Sequence, residues 1–457
     1  MDAQETLIWQ NGTTDAPLPP LADPEDATQA IHPELELYHK LGPIYRLPRQ
    51  GKNPLIILAG AEANAFTSRY GDEFFVSGEL WKEFNSAMGG MGGGMTTMRD
   101  GDLNRKRRAK TGRDYSRAKV TDRLPEMTQL TQQYSQWQPG QTIAVLPSMQ
   151  RIVAEQLGQL MITYSVGDYL EDFVIYLSTS IASSFGSDTA GKRDALSSPR
   201  FQQARTRVME LGYTIVEAHR SSPPHDRKPD LIDDMLERAA AQPETYTETR
   251  LAFAALGPLL AGLETVARTN SFLLYALLTN PTALERVVAE ADQAFVHGEL
   301  TWEHLKSMSA TQGAAMETLR MYTSAGFGAF IAKPLTFAGY RLEPGDEVHV
   351  ATSMTHFLPE LFPQPYVFDI DRYREPRNEH RQRGAYAPFG LGDHSCLGAG
   401  IAEVQLMVIT ATLLHTYQFE LDPPDYQLIP GQDLTIEDEV AGRSEKQFRL
   451  KIVARRA

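Results

Sequence analysis

Cys396 is the only cysteine among 457 residues, so any thiol chemistry here is done by one sulfur. A single thiol cannot close a disulfide within the chain, nor build the several-thiolate sets of structural zinc or iron–sulfur centres. A solitary cysteine is most often a small buried hydrophobe, but its neighbours argue against that. It stands in Ala387–Ala402, APFGLGDHSCLGAGIA, among Gly390, Gly392 and Gly398. Glycines allow backbone conformations and close approaches that side chains block. From Leu397 onward Ile401, Val404, Met407, Val408 and Ala411 recur at helical spacing. Cys396 is therefore expected at a helix N-terminus, where the macrodipole and open N–H groups favour a thiolate. A thiolate on a glycine-lined loop can ligate a flat cofactor face to face.

Phe389, Gly390, Gly392, His394, Cys396 and Gly398 match Phe-Gly-x-Gly-x-His-x-Cys-x-Gly position by position. The stretch resembles the haem-ligand signature of the cytochrome P450 family. The resemblance implies that Cys396 is the axial ligand of a haem b iron, pushing electron density towards O–O cleavage. It implies that Phe389 shields the proximal haem face and that His394 reaches a haem propionate.

Two further stretches match the family in the right order. Ala261-Gly262-Leu263-Glu264-Thr265 interrupts an apolar run that begins at Leu251. An acid and a hydroxyl there could simply lie on a helix's wet face, which leaves unexplained why an acid follows so apolar a stretch. By resemblance, Ala261 and Gly262 open a groove for O2, Thr265 hydrogen-bonds the dioxygen, and Glu264 relays protons from solvent. A relay needs a titratable group and a hydroxyl in series. Pro258 should disturb the helix just before, and Thr245 with Glu248 fits a capping box at its start. Glu317-Thr318-Leu319-Arg320 is the family's Glu-x-x-Arg, whose two side chains share a helix face. Alone it is a common pattern; its placement before Cys396, with Arg372 between, carries the weight. The implied role is a buried Glu317–Arg320–Arg372 network that braces the cysteine loop, with backbone carbonyls as further acceptors.

Arg105, Lys106, Arg107, Arg108, Lys110 and Arg113 form a basic cluster in an acidic chain of net charge −14. Such a run is usually a solvated helix face. By resemblance this helix crosses the proximal haem side, with Arg108 on a propionate and Asn104 where a histidine is usual. The other cations would dock an acidic electron donor. On the first strand after Phe327 the family often has another propionate-binding cation; Phe330 occupies that register. Phe84–Met98, FNSAMGGMGGGMTTM, is too glycine-rich for an unaided helix. It reads either as a surface loop or, by resemblance, as a substrate lid offering Met88, Met91, Met95 and Met98 as adaptable apolar contacts. Ser324–Ala329, with Ala325 and Phe327, should approach the distal pocket.

The elements needed to position these groups are mostly helices. Apolar spacing predicts helices at 32–42, 61–70, 152–165 and 205–220, and one running from 245 to 281. Strands are expected at 43–47, 54–58, within 327–350, and as a closing hairpin of 433–436 with 448–453. The fold implied is mainly α, a P450-like helical body with a small β-rich lobe. Residues 1–28 read as an arm with little to bury, and 29–457 as a single haem-binding catalytic domain. The acidic charge argues against nucleic-acid binding. The first residues carry no apolar run, so neither signal peptide nor membrane anchor is expected, and the location is expected to be cytoplasmic. With no flavin domain following and no cysteines for an iron–sulfur one, electrons should come from a separate ferredoxin or flavodoxin with its reductase. The expected reaction is O2-dependent oxidation of an apolar terpenoid, steroid or fatty acyl molecule. A peroxide-driven peroxygenase would not need Glu264 and Thr265, and a haem sensor or carrier would need an output module; both stand as alternatives.

Overall fold

Strands Ile44–Leu47 and Leu55–Leu58 form on either side of the expected turn and pair antiparallel, Ile44 opposite Leu58. Leu55–Leu58 then runs parallel to Glu347–Val350, which pairs with Phe327–Ile331, whose far edge takes Phe75–Val76. Period-two alternation turns Ile44, Ile56, Leu58, Ala329, Ile331, Val348 and Val350 into one core, against Phe66 and Phe74 of helix Ala61–Phe74. Burial of each such large side chain contributes about 1.5–3 kcal/mol. This computed structural model describes residues 8–12, 15–23, 32–89, 100–185, 194–222, 227–242, 244, 246–296, 298–322, 326–428 and 448–457. For Glu83, Leu103, Arg107, Lys110 and Phe185 it describes the backbone only.

The chain divides into two compact units. The first comprises Met1–Trp81, Thr96–Lys110 and Met316–Leu397. It holds the five-stranded sheet and a three-stranded one ordered Trp9–Asn11, Leu335–Phe337, Tyr340–Leu342. The arm is therefore not loose throughout. Trp9 pairs with Phe337 and packs its ring on Phe66, Tyr70 and Phe74, while Leu21 bridges to Arg46. Its apolar residues are too few to form a core themselves, but a sheet edge accepts them.

The second unit comprises Lys82–Met95, Thr111–Ala315 and Gly398–Ala457. Its central helix, Gly257–Leu278, buries Leu259, Leu260, Leu263, Val266, Leu273 and Leu274. The run expected from 245 to 281 is two helices, Glu248–Ala255 and Gly257–Leu278. Pro258 lies in the first turn of the second, where its missing N–H costs nothing. Thr245 lies outside the described residues; Thr247 caps the first helix by accepting the Arg250 N–H, and Glu248 is its first residue. Helix Val145–Met161 packs closely on the central helix at Gly262, where a Cβ would come within 2.9 Å of Leu157 Cδ1. The expected strand at 433–436 also lies outside the described residues. Strand Arg449–Arg455 pairs with Tyr417–Asp422 on one side and Thr142–Ala144 on the other. Glu248–Leu278 and Ala399–Thr416 are apolar enough to cross a membrane, but 67% and 72% of their most apolar windows are buried inside the protein.

Candidate functional site

The cysteine loop sits in the first unit. The Cys396 side chain is exposed, while its N–H donates to the Phe389 carbonyl at 2.8 Å, closing the loop on itself. Gly390 and Gly392 take φ of +72° and +61°, values that favour glycine. At Gly392 a Cβ would also crowd the Thr67 carbonyl at 3.1 Å. Helix Ala399–Thr416 begins three residues after Cys396, with Gly398 as its N-cap.

The basic helix, Gly101–Thr111, grips the loop's backbone. Asn104 is fully buried and donates Nδ2 to the Asp393 carbonyl at 3.0 Å. Its Oδ1 has no hydrogen-bond partner among the described residues. Arg108 donates Nη2 to the Ser395 carbonyl at 2.5 Å and to Ser395 Oγ at 3.3 Å. Burial lowers the Arg108 guanidinium pKa, opposed by the negative charges of Asp393 and Cys396. A cation close enough to feel Cys396 also favours that sulfur as thiolate. Arg105, one of the expected docking cations, is exposed and already paired. Its guanidinium pairs with Asp72 at 2.6 Å, Asp102 at 2.5 Å and Asp393 at 3.3 Å. Of the expected patch Lys106 is exposed, and the side chains of Arg107 and Lys110 lie outside the described residues.

His394 makes contacts that sequence reasoning missed. Its Nε2 is 3.1 Å from Asp100 Oδ1 and 3.2 Å from Ser77 Oγ. Burial raises the Asp100 carboxyl, but hydrogen bonds from His394, the Ser77 and Gly78 amides and the Ser77 hydroxyl outweigh it and hold it at about 2. Phe327 lies 5.6 Å ring to ring from His394. Phe330 pairs with Val76 on the edge strand. The soft thiolate donor, the exposed sulfur and the cations aligned on the loop suit a haem iron with a carboxylate-bearing rim.

Glu317, Arg320 and Arg372 are brought together at 0–1% side-chain exposure. Glu317 Oε2 takes Arg320 Nε at 2.8 Å and the Tyr373 hydroxyl at 2.6 Å. Its Oε1 takes Arg320 Nη2 at 2.9 Å, Arg372 Nε at 3.0 Å and the Asp369 N–H at 3.0 Å. The surplus arginine donors go to carbonyls of His356, Pro365, Pro363, Gln364 and Val367. Glu379, a second carboxylate that the motif does not reveal, accepts from Arg372 at 2.9 Å.

His356 links this network to the cysteine loop. Its Nδ1 is 3.1 Å from the Arg320 carbonyl, and Nε2 accepts the Ala387 N–H at 3.0 Å. Burial, then the Arg320 charge, push the imidazole down to about 3. The folded state therefore holds His356 neutral, with Nδ1–H donating. Because the folded pKa lies below the unfolded one, this contribution is present above pH ~6.5 and is lost as pH falls towards 3. Stability is expected to fall by roughly 1.4 kcal/mol per pH unit below pH ~6 through this one group. Urea midpoints between pH 7 and 4.5 check this: His356→Gln should flatten the slope, and an unchanged slope rules His356 out.

On the central helix, Glu264 is buried and Thr265 exposed. Glu264 Oε1 accepts Gln150 Nε2 at 2.6 Å, and Oε2 accepts Arg268 Nε at 3.1 Å. Thr265 Oγ1 donates to the Ala261 carbonyl at 2.9 Å. Ala261 and Thr265 form an exposed stripe on a helix otherwise buried around them. Gln150, on another helix, had no sequence signal linking it to Glu264. Met88 is fully buried, and its carbonyl accepts the Tyr176 hydroxyl at 3.2 Å. It is core there rather than open lid surface. Met91, Met95, Met98 and Ala325 lie outside the described residues.

The family model for cytochrome P450 matches residues 27–434. Lanosterol 14-alpha demethylase of Bos taurus is 24% identical over 84% of this chain and 77% of that protein. Cyclooctat-9-en-7-ol 5-monooxygenase of Streptomyces melanosporofaciens is 27% identical over 63% of this chain and 64% of that protein. A sterol 14alpha-demethylase of Mycolicibacterium vanbaalenii is 30% identical, and this chain spans half the length of that protein. Among solved structures, retinoic acid-bound cyanobacterial CYP120A1 superposes with a TM-score of 0.78 at 23% identity, over 96% of this chain and 99% of that one. The chain belongs to the cytochrome P450 family, whose members bind haem iron, and it has the P450 fold.

Proposed function

We propose that this chain is a haem-thiolate monooxygenase acting on a mostly apolar terpenoid, steroid or fatty acyl molecule, with O2 and a separate ferredoxin- or flavodoxin-type donor and its reductase. One observation carries the proposal. The Ala387–Gly398 loop exposes its single thiol while its backbone is tied to Asn104, Arg108 and His356. Residues 29–457 act as one catalytic domain on this reading, since the family match runs through both compact units. Cys396 holds the iron of haem b. Phe389 would shield the bound haem, and Arg108 and His394 would meet its carboxylates. A haem so held supplies dioxygen activation and insertion of one oxygen atom into the substrate.

The protein's part is proton delivery and orientation. The Thr265 hydroxyl spends its hydrogen on the Ala261 carbonyl, so its lone pairs face outward to accept a donor. Glu264, gripped by Gln150 and Arg268, exchanges protons with solvent when that grip loosens. Relatives named for lanosterol and cyclooctat-9-en-7-ol, and a fold neighbour holding retinoic acid, support an apolar ligand. A cytoplasmic location goes with soluble electron donors, and exposed Lys106 is left to meet one. Thr265→Ala is expected to keep the substrate-induced Soret shift, while product per electron falls at least tenfold as peroxide or water forms. Unchanged coupling removes Thr265 from the mechanism. Turnover by wild type with peroxide, but no O2 consumption with reductant and a surrogate ferredoxin, would show a peroxygenase; neither activity would show a carrier.

A further inference from the structure

Three residues spaced four apart converge on three consecutive residues of the cysteine loop. Asn104 holds the Asp393 carbonyl and Arg108 the Ser395 carbonyl. Asp100, four places before Asn104 and immediately before the helix's first residue Gly101, holds the ring of His394. The i, i+4 spacing sets Asn104 and Arg108 on one stripe of the helix, and Asp100, outside the helix and before the left-handed Gly101, reaches the residue between their two targets. Asp100 is itself fixed from a different element. The Ser77 N–H donates to Oδ1 at 2.9 Å, Ser77 Oγ to Oδ1 at 3.0 Å, and the Gly78 N–H to Oδ2 at 2.9 Å. Those residues directly follow edge strand Phe75–Val76. A carboxylate only accepts, so His394 Nε2 must carry the hydrogen it shares with Asp100. Nδ1 then lies on the other side of the ring, and no described residue hydrogen-bonds it.

We propose that Asp100, anchored by Ser77 and Gly78, is a positioning residue that holds His394 by Nε2–H so that a second ring N–H, at Nδ1, is presented to a haem carboxylate. This rests on the haem-thiolate reading. It adds that Asn104 and Arg108 alone do not orient the loop's histidine; the residue before the helix does. Carboxylates that orient histidines in this way change metal-site affinity by about 10–100-fold. His394 would touch the rim of the cofactor rather than its metal, so the low end of that range is expected.

The test is haem release to excess apomyoglobin, with melting followed by circular dichroism. Asp100→Asn should release haem about tenfold faster, and Ser77→Ala by a smaller factor. Ser77→Ala keeps both backbone donors to Asp100, so it remains informative if Asp100→Asn does not fold. In a His394→Ala background, Asp100→Asn should add nothing. The iron's reduction potential should become less negative in Asp100→Asn and not shift when the same change is made on His394→Ala. Release at the wild-type rate from Asp100→Asn or from Ser77→Ala overturns the proposal. So does an Asp100→Asn effect of equal size with and without His394. Wild type that takes up no haem overturns the haem-thiolate reading as well; wild type with a thiolate spectrum beside an unaffected Asp100→Asn overturns this proposal alone.

Discussion

Cys396→Ala is expected to abolish the red-shifted Soret band that reduced, thiolate-ligated haem gives with CO, and all turnover with it. No other cysteine exists in the chain to replace the ligand. The loop should survive the change, because the bond from residue 396 to the Phe389 carbonyl is made by backbone N–H. The grips of Asn104 and Arg108 fall on carbonyls of Asp393 and Ser395. Loss of the band with an unchanged melting transition would therefore isolate ligation from folding. Cys396→Ser should bind haem through a harder oxygen donor and show no thiolate band. A thiolate-type spectrum from either variant would sink the assignment of Cys396 as the ligand.

Glu317→Ala is expected to be the most damaging change that touches no reactant. Glu317 accepts from Arg320, Arg372, Tyr373 and the Asp369 amide, all with its side chain fully buried. Its removal leaves two buried guanidinium groups without their shared counter-charge. Breaking a buried pair in this way costs about 3–5 kcal/mol, a large part of a typical net stability of about 5–15 kcal/mol. Glu317→Gln keeps the shape but points an amide donor at arginine donors, so it should also fail. The urea midpoint and the haem content of purified protein should fall together, because His356 connects Arg320 to Ala387 at the start of the cysteine loop. A midpoint close to wild type for Glu317→Ala would show that the network is dispensable.

The sequence by itself determined the family, the order of the main elements and the residues that carry the motifs. These are short-range patterns: Phe389 to Gly398 lie within ten positions, Ala261 to Thr265 within five, and helix Pro199–Ser221 follows from its apolar spacing. Local spacing also placed strands Ile44–Leu47 and Leu55–Leu58 about their turn. It was misleading where a chain segment gains its partner from afar. Trp9–Asn11 looked like part of a polar arm until strand Leu335–Phe337 supplied an edge. The run after Glu248 read as one helix, because periodicity passes through Leu256 whether or not the backbone does.

Only the tertiary structure decided what the functional side chains are bound to. Arg105 and Arg108 are indistinguishable as letters, yet one is neutralised by Asp72, Asp102 and Asp393 while the other holds Ser395. Gln150 reaches Glu264 across 114 positions, Asp100 reaches His394 across 294, and His356 reaches Ala387 across 31. A hydrogen bond depends on distance and direction in space, and neither is encoded by residue type at such separations. The motifs therefore name the thiolate, the acid and the buried carboxylate, while packing settles which neighbours orient each of them and hold its charge.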